Sequence, residues 1–360
     1  MPTPDLTIDE PLLAQLAAEA ESLGLLRLGI LRLDHPGLAP AQAALRAYLD
    51  AGQHGEMDFM ATTRAMRLDP RLLLEGARSA LVGLVPYAGV SGPVARYAQW
   101  SDYHTEVHRR LARLRERLEL HRPGVDTRIC VDTKPLLERS LAQLAGLGFI
   151  GKHGCLIAPG LGSYVLIGTL ITSARWTGPD HPAPPGDPWD ACGSCTRCLD
   201  ACPTSAFDAP GKLEPRRCIA YLTIEQRGAI AEDLAARVGE RVAGCDVCQE
   251  VCPYNQSETR AARVPAQAWL PAPPGHARVA DVVKLAVIGN NQHRQFVKHT
   301  PLDRIPRRAL RRNALVALGN RRGPVDEHER AALLACLGDP DSGLAELAAW
   351  AARRRGVVVE

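Results

Sequence analysis

The chain has 360 residues, more than one hydrophobic core normally spans, so two or three domains are expected. Its 46% apolar and 23% charged residues are ordinary for a soluble globular protein, and a formal charge of +3 does not by itself argue for an acidic partner. No apolar stretch reaches the roughly 18 residues of a membrane span, and the N-terminus has neither a basic start before an apolar core nor a twin arginine. A cytoplasmic protein without a membrane partner is the expectation.

Residues 8–23 carry apolar positions at helical spacing and stop at Gly24. LLRLGILRL (25–33), SALVGLVPYA (79–88) and SYVLIGTLITS (163–173) read as strands. TEVHRRLARLRERLEL (105–120) and PLLERSLAQLAGLG (135–148) read as helices. This mixture predicts a first domain of the α/β or α+β kind ending near residue 175. The Pro/Gly-rich run TGPDHPAPPGDPWDA (177–191) reads as a linker before a cysteine-rich block at 192–255. A second proline-rich run, VPAQAWLPAPPGHA (264–277), precedes a segment that reads almost wholly helical. There RRALRRNALVALGN (307–320) and ERAALLACLGDPDSGLAELAAWAARR (329–354) resemble paired helices of a solenoid.

CGSCTRCLDACP (192–203) is a bacterial ferredoxin signature: three close thiolates grip one 4Fe–4S cube, and the fourth cysteine ligates the neighbouring cluster. A structural zinc site favours separated CxxC pairs and gains nothing from the triplet. CDVCQEVCP (245–253) lacks the leading cysteine of a full copy, and Cys218 is the only cysteine between the two runs. By the crossover rule, Cys192, Cys195, Cys198 and Cys252 form one ligand set, and Cys202, Cys218, Cys245 and Cys248 the other. Cys130, Cys155 and Cys336 lie in apolar contexts and read as small buried hydrophobes. Two adjacent clusters make an electron conduit but do not name its destination.

VDTKPLLERSLAQLAGLGFIGKHGCLIAPGLGSYVLIGTLIT (131–172) holds an acid before a proline-started helix, then a Gly-rich turn with Lys152 and His153. The turn is neither a dinucleotide fingerprint nor a phosphate loop, so nucleotide binding is not indicated. Asp132 alone reads as a helix N-cap, since a helix N-terminus favours the ionised carboxylate and opposes proton donation at neutral pH; donation calls for burial that raises the pKa.

With GSYV, DYH (102–104), CGSCTRCLDACPTSA, CIAYLTIE, GCDVCQEVCPYN and RxxRxxLRRNALVALGN (304–320) in the same order, the chain resembles the epoxyqueuosine reductases over about residues 10–350. These are cobalamin-dependent iron–sulfur enzymes of tRNA modification. The resemblance implies an α+β multi-domain protein. Its parts would be an α/β cobalamin-binding catalytic domain (1–176), a ferredoxin-like domain with two 4Fe–4S clusters (177–262) and a C-terminal α-helical, HEAT-like, tRNA-binding domain (263–360). It implies reduction of epoxyqueuosine to queuosine at the wobble position of tRNAs for Tyr, His, Asp and Asn. Electrons from an unidentified donor would pass through the clusters to cobalamin, with Asp132 as proton donor, in a monomer. It places cobalamin contacts at Arg67, Ala95, Asp132, Leu156, Ile167, Ala220 and Asp246. Arg67 also reads as a surface arginine and the apolar positions as ordinary core. Ala220 departs from the serine found in relatives, so a hydroxyl contact is absent there. No DxHxxG motif offers a lower axial histidine.

Between Val282 and Arg322 there are ten Lys or Arg and one acid, Asp303. Arg304, Arg307, Arg308, Arg311 and Arg312 recur at helical spacing, which predicts a basic face for tRNA phosphates; the plain alternative is a solvated face in an Arg-rich composition. Two other readings share part of the pattern. A corrinoid reductive dehalogenase uses cobalamin and paired clusters but usually carries an export signal, and a ferredoxin-type electron carrier leaves residues 132–172 unexplained.

Overall fold

All eight residues of Ser79–Pro86 are buried, and the sheet of the first unit is built outward from this strand. The computed structural model describes residues 6–182, 189–256, 264, 268–272 and 280–358. Four strands, β1 (Arg27–Arg32), β2 (Ser79–Pro86), β3 (Thr127–Cys130) and β4 (Val165–Thr172), lie in the order β1-β2-β4-β3. Every neighbouring pair is antiparallel. The α/β expectation for this domain therefore holds in its mixture of elements but not in strand direction: the sheet is of the α+β kind.

Both faces of the sheet are covered. Helices α1 (Glu10–Ser22) and α2 (Tyr103–His121) pack on one face, burying Leu16, Val107, Leu111 and Leu114 against Leu81 and Leu170. Helix α3 (Glu138–Leu144) packs on the other with Leu141 and Ala142 against Ala80, Val82 and Ile171. The approach of α2 is close: a Cβ on Gly168 of β4 would lie 2.6 Å from Val107. The first turn of α2 is thereby held at one end of the sheet, near the end of β3. The expected helix over 135–148 shortens to Glu138–Leu144, because Leu137 is non-helical and the Gly146 and Gly148 backbones have positive φ.

In the cysteine block two four-residue helices, Arg197–Asp200 and Val247–Glu250, pack on each other, each carrying one cysteine, Cys198 or Cys248. Between those two in the chain lie helices α4 (Ile219–Ile224) and α5 (Glu232–Val238). Helices α4 and α5 share one hydrophobic core with α6 (Val282–Ala286), α7 (Arg307–Asn320), α8 (Glu327–Leu337) and α9 (Ser342–Arg354). Helix α7 runs through the middle of this core and is buried continuously from Ala309 to Gly319. Its Asn313 amide donates to the carbonyls of Thr223 (2.7 Å) and Val242 (2.8 Å), tying the helical region to the cysteine block.

The expected boundary at 262/263 lies outside the described residues. On its far side Val264, Ala268 and Leu270 pack on the first unit. There the fully buried Arg110 of α2 donates to the carbonyls of Gly24, Ala268 and Trp269 at 2.7, 2.9 and 3.0 Å. At the earlier boundary, Thr177 still bonds Ile8 of the first unit. Among the described residues no helix is long and apolar enough to cross a membrane.

Candidate active site and cysteine centres

Asp132 follows the end of β3 with φ +44, a left-handed conformation that a non-glycine residue adopts only when its surroundings impose it. Three contacts impose it. The Tyr103 hydroxyl donates to Oδ2 at 2.5 Å, the His104 ring approaches the same oxygen through Nε2 at 3.3 Å, and the Asp132 backbone N–H donates to Oε1 of Glu138 at 2.8 Å. The helix-cap reading of Asp132 is thereby overturned. The next helix opens at Glu138, three residues beyond the expected Pro135 start, and its N-cap, Leu137, makes no side-chain cap bond.

The carboxylate of Asp132 keeps 45% of its side-chain surface free, at the edge of a polar cluster. Burial opposes its ionisation, but the bonds from His104 and Tyr103 and the charges of His104 and Arg304 prevail and hold its pKa below the ordinary carboxylate range. For His104 burial likewise opposes the charged form. Its Nδ1 lies 2.7 Å from Asp102 Oδ1, and this bond together with Asp132 lifts its pKa to about 9. Glu138 responds oppositely: burial, then the Asp132 charge, pushes it up to about 8. At neutral pH the cluster thus holds an ionised Asp132, a protonated His104 and a largely neutral Glu138. Its ability is to store a proton one hydrogen bond away from an accessible carboxylate.

Several residues expected from sequence gather here. Arg67 donates through Nε to Thr63 at 2.9 Å, and burial lowers its pKa against the opposing charges of Glu138 and Asp132. Leu156 is buried and Ile167 half-buried in the apolar cluster that also takes in Cys130 and Leu136 on either side of Asp132. Ala95 is buried and donates its N–H to Ala243 at 2.8 Å, and the next amide, Arg96, donates to Asp246 Oδ2 at 2.7 Å. Gly244 closes this junction with φ +78, where a Cβ would come within 2.6 Å of that of Ala95. Burial pushes the Asp246 carboxyl up. Tyr97 sits between the two acidic centres: its ring packs edge-on to Tyr103 at 5.9 Å, and it feels the charges of both Asp132 and Asp246. Small residues and exposed acid therefore line the seam between the first unit and the cysteine block, a lining that fits a flat, apolar-faced corrin. Ala220 sits on the cysteine side, half-buried in the first turn of α4.

The cysteines sort into two groups. Cys192, Cys195, Cys198 and Cys252 wall one cavity of roughly 70 Å³. Cys218 feels Cys202, and Cys245 and Cys248 both feel Cys218. Backbone N–H groups point at the sulfurs: Ala206 at Cys202 (3.3 Å), and Ala220 and Tyr221 at Cys218. Burial pushes the Cys198 and Cys245 thiols up to about 11, so these positions become thiolates only with a cation to take the charge. Among the described residues no three His, Cys, Asp or Glu converge on one metal ion, whereas a cube spreads four thiolates over four irons. Cys130 and Cys336 are buried as expected. Cys155 is not an isolated hydrophobe: it is half-buried and feels Cys218, Asp246 and Cys252.

The arginine face expected from sequence is broken up. Arg311 is buried and pairs with Asp339 at 2.5 Å while donating to the Ala286 carbonyl at 2.8 Å. Arg312 is buried and bonds the carbonyls of Leu222 (2.6 Å), Gln226 (2.9 Å) and Gly228. Both belong to the interior, because α7 is surrounded on all sides and its helical spacing carries them inward. Arg304, Arg307 and Arg308 remain toward solvent, with Arg304 paired to Glu225 at 2.7 Å and Arg308 to Asp341 at 2.5 Å. Arg304 is also the charge that reaches Asp132 and Tyr103 from the C-terminal region. Sequence reasoning assigned no role to Tyr103, His104, Tyr97 or Glu138; the DYH run was the one signal for the first two.

Residues 191–255 match the family model of a 4Fe-4S double cluster binding domain, and residues 67–133 that of epoxyqueuosine reductase QueG, DUF1730. Over 362 residues the chain is 37% identical to the epoxyqueuosine reductase of Xanthomonas campestris pv. campestris, covering 96% of both. Over 376 residues it is 34% identical to that of Escherichia coli (strain K12), covering 98% of this chain and 94% of the other. Among solved structures it is similar to an epoxyqueuosine reductase crystallised with a tRNA-Tyr epoxyqueuosine-modified stem loop (TM-score 0.80, 29% identity, 96% of this chain and 90% of that one). It is also similar to one from Bacillus subtilis with its catalytic loop swung out of the active site (TM-score 0.77, 28% identity, 96% and 90%).

Proposed function

The chain belongs to the epoxyqueuosine reductase family, and from that premise we propose that it reduces epoxyqueuosine in tRNA to queuosine with Asp132 as the proton donor. The observation that carries the reading is the exposed Asp132 oxygen held between Tyr103 and the charged His104. Removing an epoxide oxygen to leave an alkene consumes two electrons and two protons and releases water. Cobalamin, when bound, would supply the reducing metal centre, and 4Fe–4S clusters held by the two cysteine sets would supply its electrons.

The chain's own residues have the following roles. Cys192, Cys195, Cys198 and Cys252 hold one cluster, and Cys202, Cys218, Cys245 and Cys248 the other. Arg67, Ala95, Leu156, Ile167, Ala220 and Asp246 line the corrin, Arg67 offering a charge to its polar periphery and the alanines a close apolar fit. His104 Nε2 passes its proton to Asp132 Oδ2 as negative charge grows on the departing oxygen, and Asp102 keeps the ring oriented. A carboxylate with a lowered pKa can act this way because the proton is stored next door and not on the acid itself.

Residues 1–176 would form the cobalamin-binding domain, 177–262 the two-cluster domain and 263–360 a HEAT-like domain that takes the tRNA backbone through Arg304, Arg307 and Arg308. The wobble base would be splayed toward Asp132. Substrates are the tRNAs for Tyr, His, Asp and Asn, and the enzyme works in the cytoplasm as a monomer. The test is product analysis: epoxyqueuosine-containing tRNA incubated anaerobically with the loaded protein and a strong reductant yields queuosine. Unchanged epoxyqueuosine with both cofactors in place overturns the proposal.

A further inference from the structure

The Gly-rich turn 151–154 is not used by the proton chemistry, yet two of its polar side chains are buried: Lys152 at 8% and His153 at 6% exposure. Lys152 reaches from the first unit into the cysteine block, where Nζ donates to the carbonyls of Gly193 (2.6 Å) and Cys195 (3.1 Å), both within the CGSC loop. Its own carbonyl accepts from Gly211 at 2.8 Å. His153 Nδ1 accepts the backbone N–H of Cys155 at 3.1 Å. An imidazole whose Nδ1 accepts a hydrogen bond carries its hydrogen on Nε2. Nε2 is buried and has no hydrogen-bond partner. His153 and Lys152 both line the cavity walled by Cys192, Cys195, Cys198 and Cys252.

A buried donor without an acceptor is unfavourable and marks a partner from outside the polypeptide. The acceptors that a loaded cavity offers are sulfurs. We infer that His153 donates its Nε2 hydrogen to a sulfur of the cluster held by Cys192, Cys195, Cys198 and Cys252, and that Lys152 adds a fixed positive charge beside it. The turn thus sets the reduction potential of that cluster. The inference rests on the two-cluster reading.

The physical effect has a definite sign. A donated hydrogen bond and a nearby cation both stabilise the extra electron of the reduced cluster and raise its potential. The cluster concerned is the outer of the two. Ser194 within its loop is exposed and Tyr254 beside it keeps 39% of its surface, whereas the other set lies against Ala220 and Asp246 at the seam. A raised potential here eases uptake of an electron from a donor at the surface and meters its onward passage. The first unit therefore tunes the conduit that serves it.

The test is an EPR-monitored redox titration of reconstituted protein, after iron analysis has shown about eight irons per chain, two cubes of four. Fewer irons in the wild type defeat the two-cluster reading itself, separately from this inference. In His153→Leu, at a fixed solution potential, the reduced-to-oxidised ratio of one cluster should fall about tenfold, equivalent to 59 mV for one electron. The other cluster should not move. Lys152→Met should shift the same cluster in the same direction, and His153→Gln, which restores an N–H donor, should recover much of the loss. Unshifted potentials in fully loaded His153→Leu overturn the inference. A second measurement needs no variant: with ¹⁵N-histidine in the wild type, the reduced outer cluster should show hyperfine coupling to a histidine nitrogen. Absence of that coupling contradicts the inference even where His153→Leu does not load.

Discussion

The hydroxyl of Tyr103 lies 2.5 Å from Oδ2 of Asp132, and the imidazole of the next residue, His104, reaches the same oxygen from 3.3 Å. Two consecutive side chains in the first turn of one helix thus grip the end of a strand 28 residues further along. His104 in turn is held by Asp102, which also caps that helix through the His104 N–H at 3.0 Å. The capping role fixes the backbone, and the backbone fixes the ring that stores the proton.

This arrangement makes activity sensitive to alkaline pH. With His104 raised to about 9, turnover should hold through neutrality and fall as the pH climbs through 9, where the stored proton is lost. Asp102→Asn removes the stronger of the two partners, so the fall should move to lower pH by about one unit or more, a hydrogen bond to a charged group being worth about 1.5–3 kcal/mol. The raised pKa also stabilises the fold. That contribution is fully present below the unfolded value of 6.5 and disappears as pH rises through 9. A pH–rate profile of Asp102→Asn that superimposes on the wild type would argue against the relay.

The arginines of α7 divide into two kinds of variant. Arg311→Ala removes a buried guanidinium that bonds the half-buried Asp339 carboxylate and the Ala286 carbonyl, and should lower stability by about 1–3 kcal/mol, read by denaturant unfolding. Arg308→Glu breaks an exposed pair with Asp341, should cost about 1 kcal/mol or less, and should weaken tRNA binding while flattening its salt dependence. If Arg308→Glu and Arg307→Glu together leave tRNA affinity and its salt slope unchanged, this surface does not carry the tRNA.

Cys218→Ser tests the displaced eighth ligand. The variant should bind one cluster and lose most of the second, with iron content falling from about eight toward about four per chain. Cys336→Ser, in the helical core, should retain the full iron content. A Cys218→Ser protein that keeps eight irons would assign that ligand elsewhere, and half-buried Cys155 is the nearest candidate.

Much of this was legible in the sequence where spacing maps directly onto geometry. CxxCxxCxxxCP forces three sulfurs into one turn, and the structure gathers those three with Cys252 around one cavity. The long helix over 105–120 and helix 307–320 follow from apolar spacing and occur at Tyr103–His121 and Arg307–Asn320. Long-range contacts left no such trace. Asp132 looked like a helix cap because Asp is a common N-cap and a helix was expected to open near Pro135; its φ of +44 and its partners on a distant helix are set by tertiary packing. Thr127–Cys130 is too short to announce itself as a strand. Arg311 and Arg312 looked solvent-facing because charge usually is, yet their guanidiniums meet carbonyls and a carboxylate inside the core. His153 was visible, but its unpartnered nitrogen was not.

The central claim is that Asp132 delivers the proton where the electrons arrive, and Asp132→Asn tests it most directly. The asparagine keeps the size of the side chain but cannot relay a proton from His104. Loaded with both clusters and cobalamin, prereduced and mixed with epoxyqueuosine-containing tRNA, the variant should bind tRNA normally and form queuosine at least about a hundredfold more slowly than wild type, the usual range for loss of a general acid. Queuosine formed at near wild-type rate by the fully loaded variant would contradict the account.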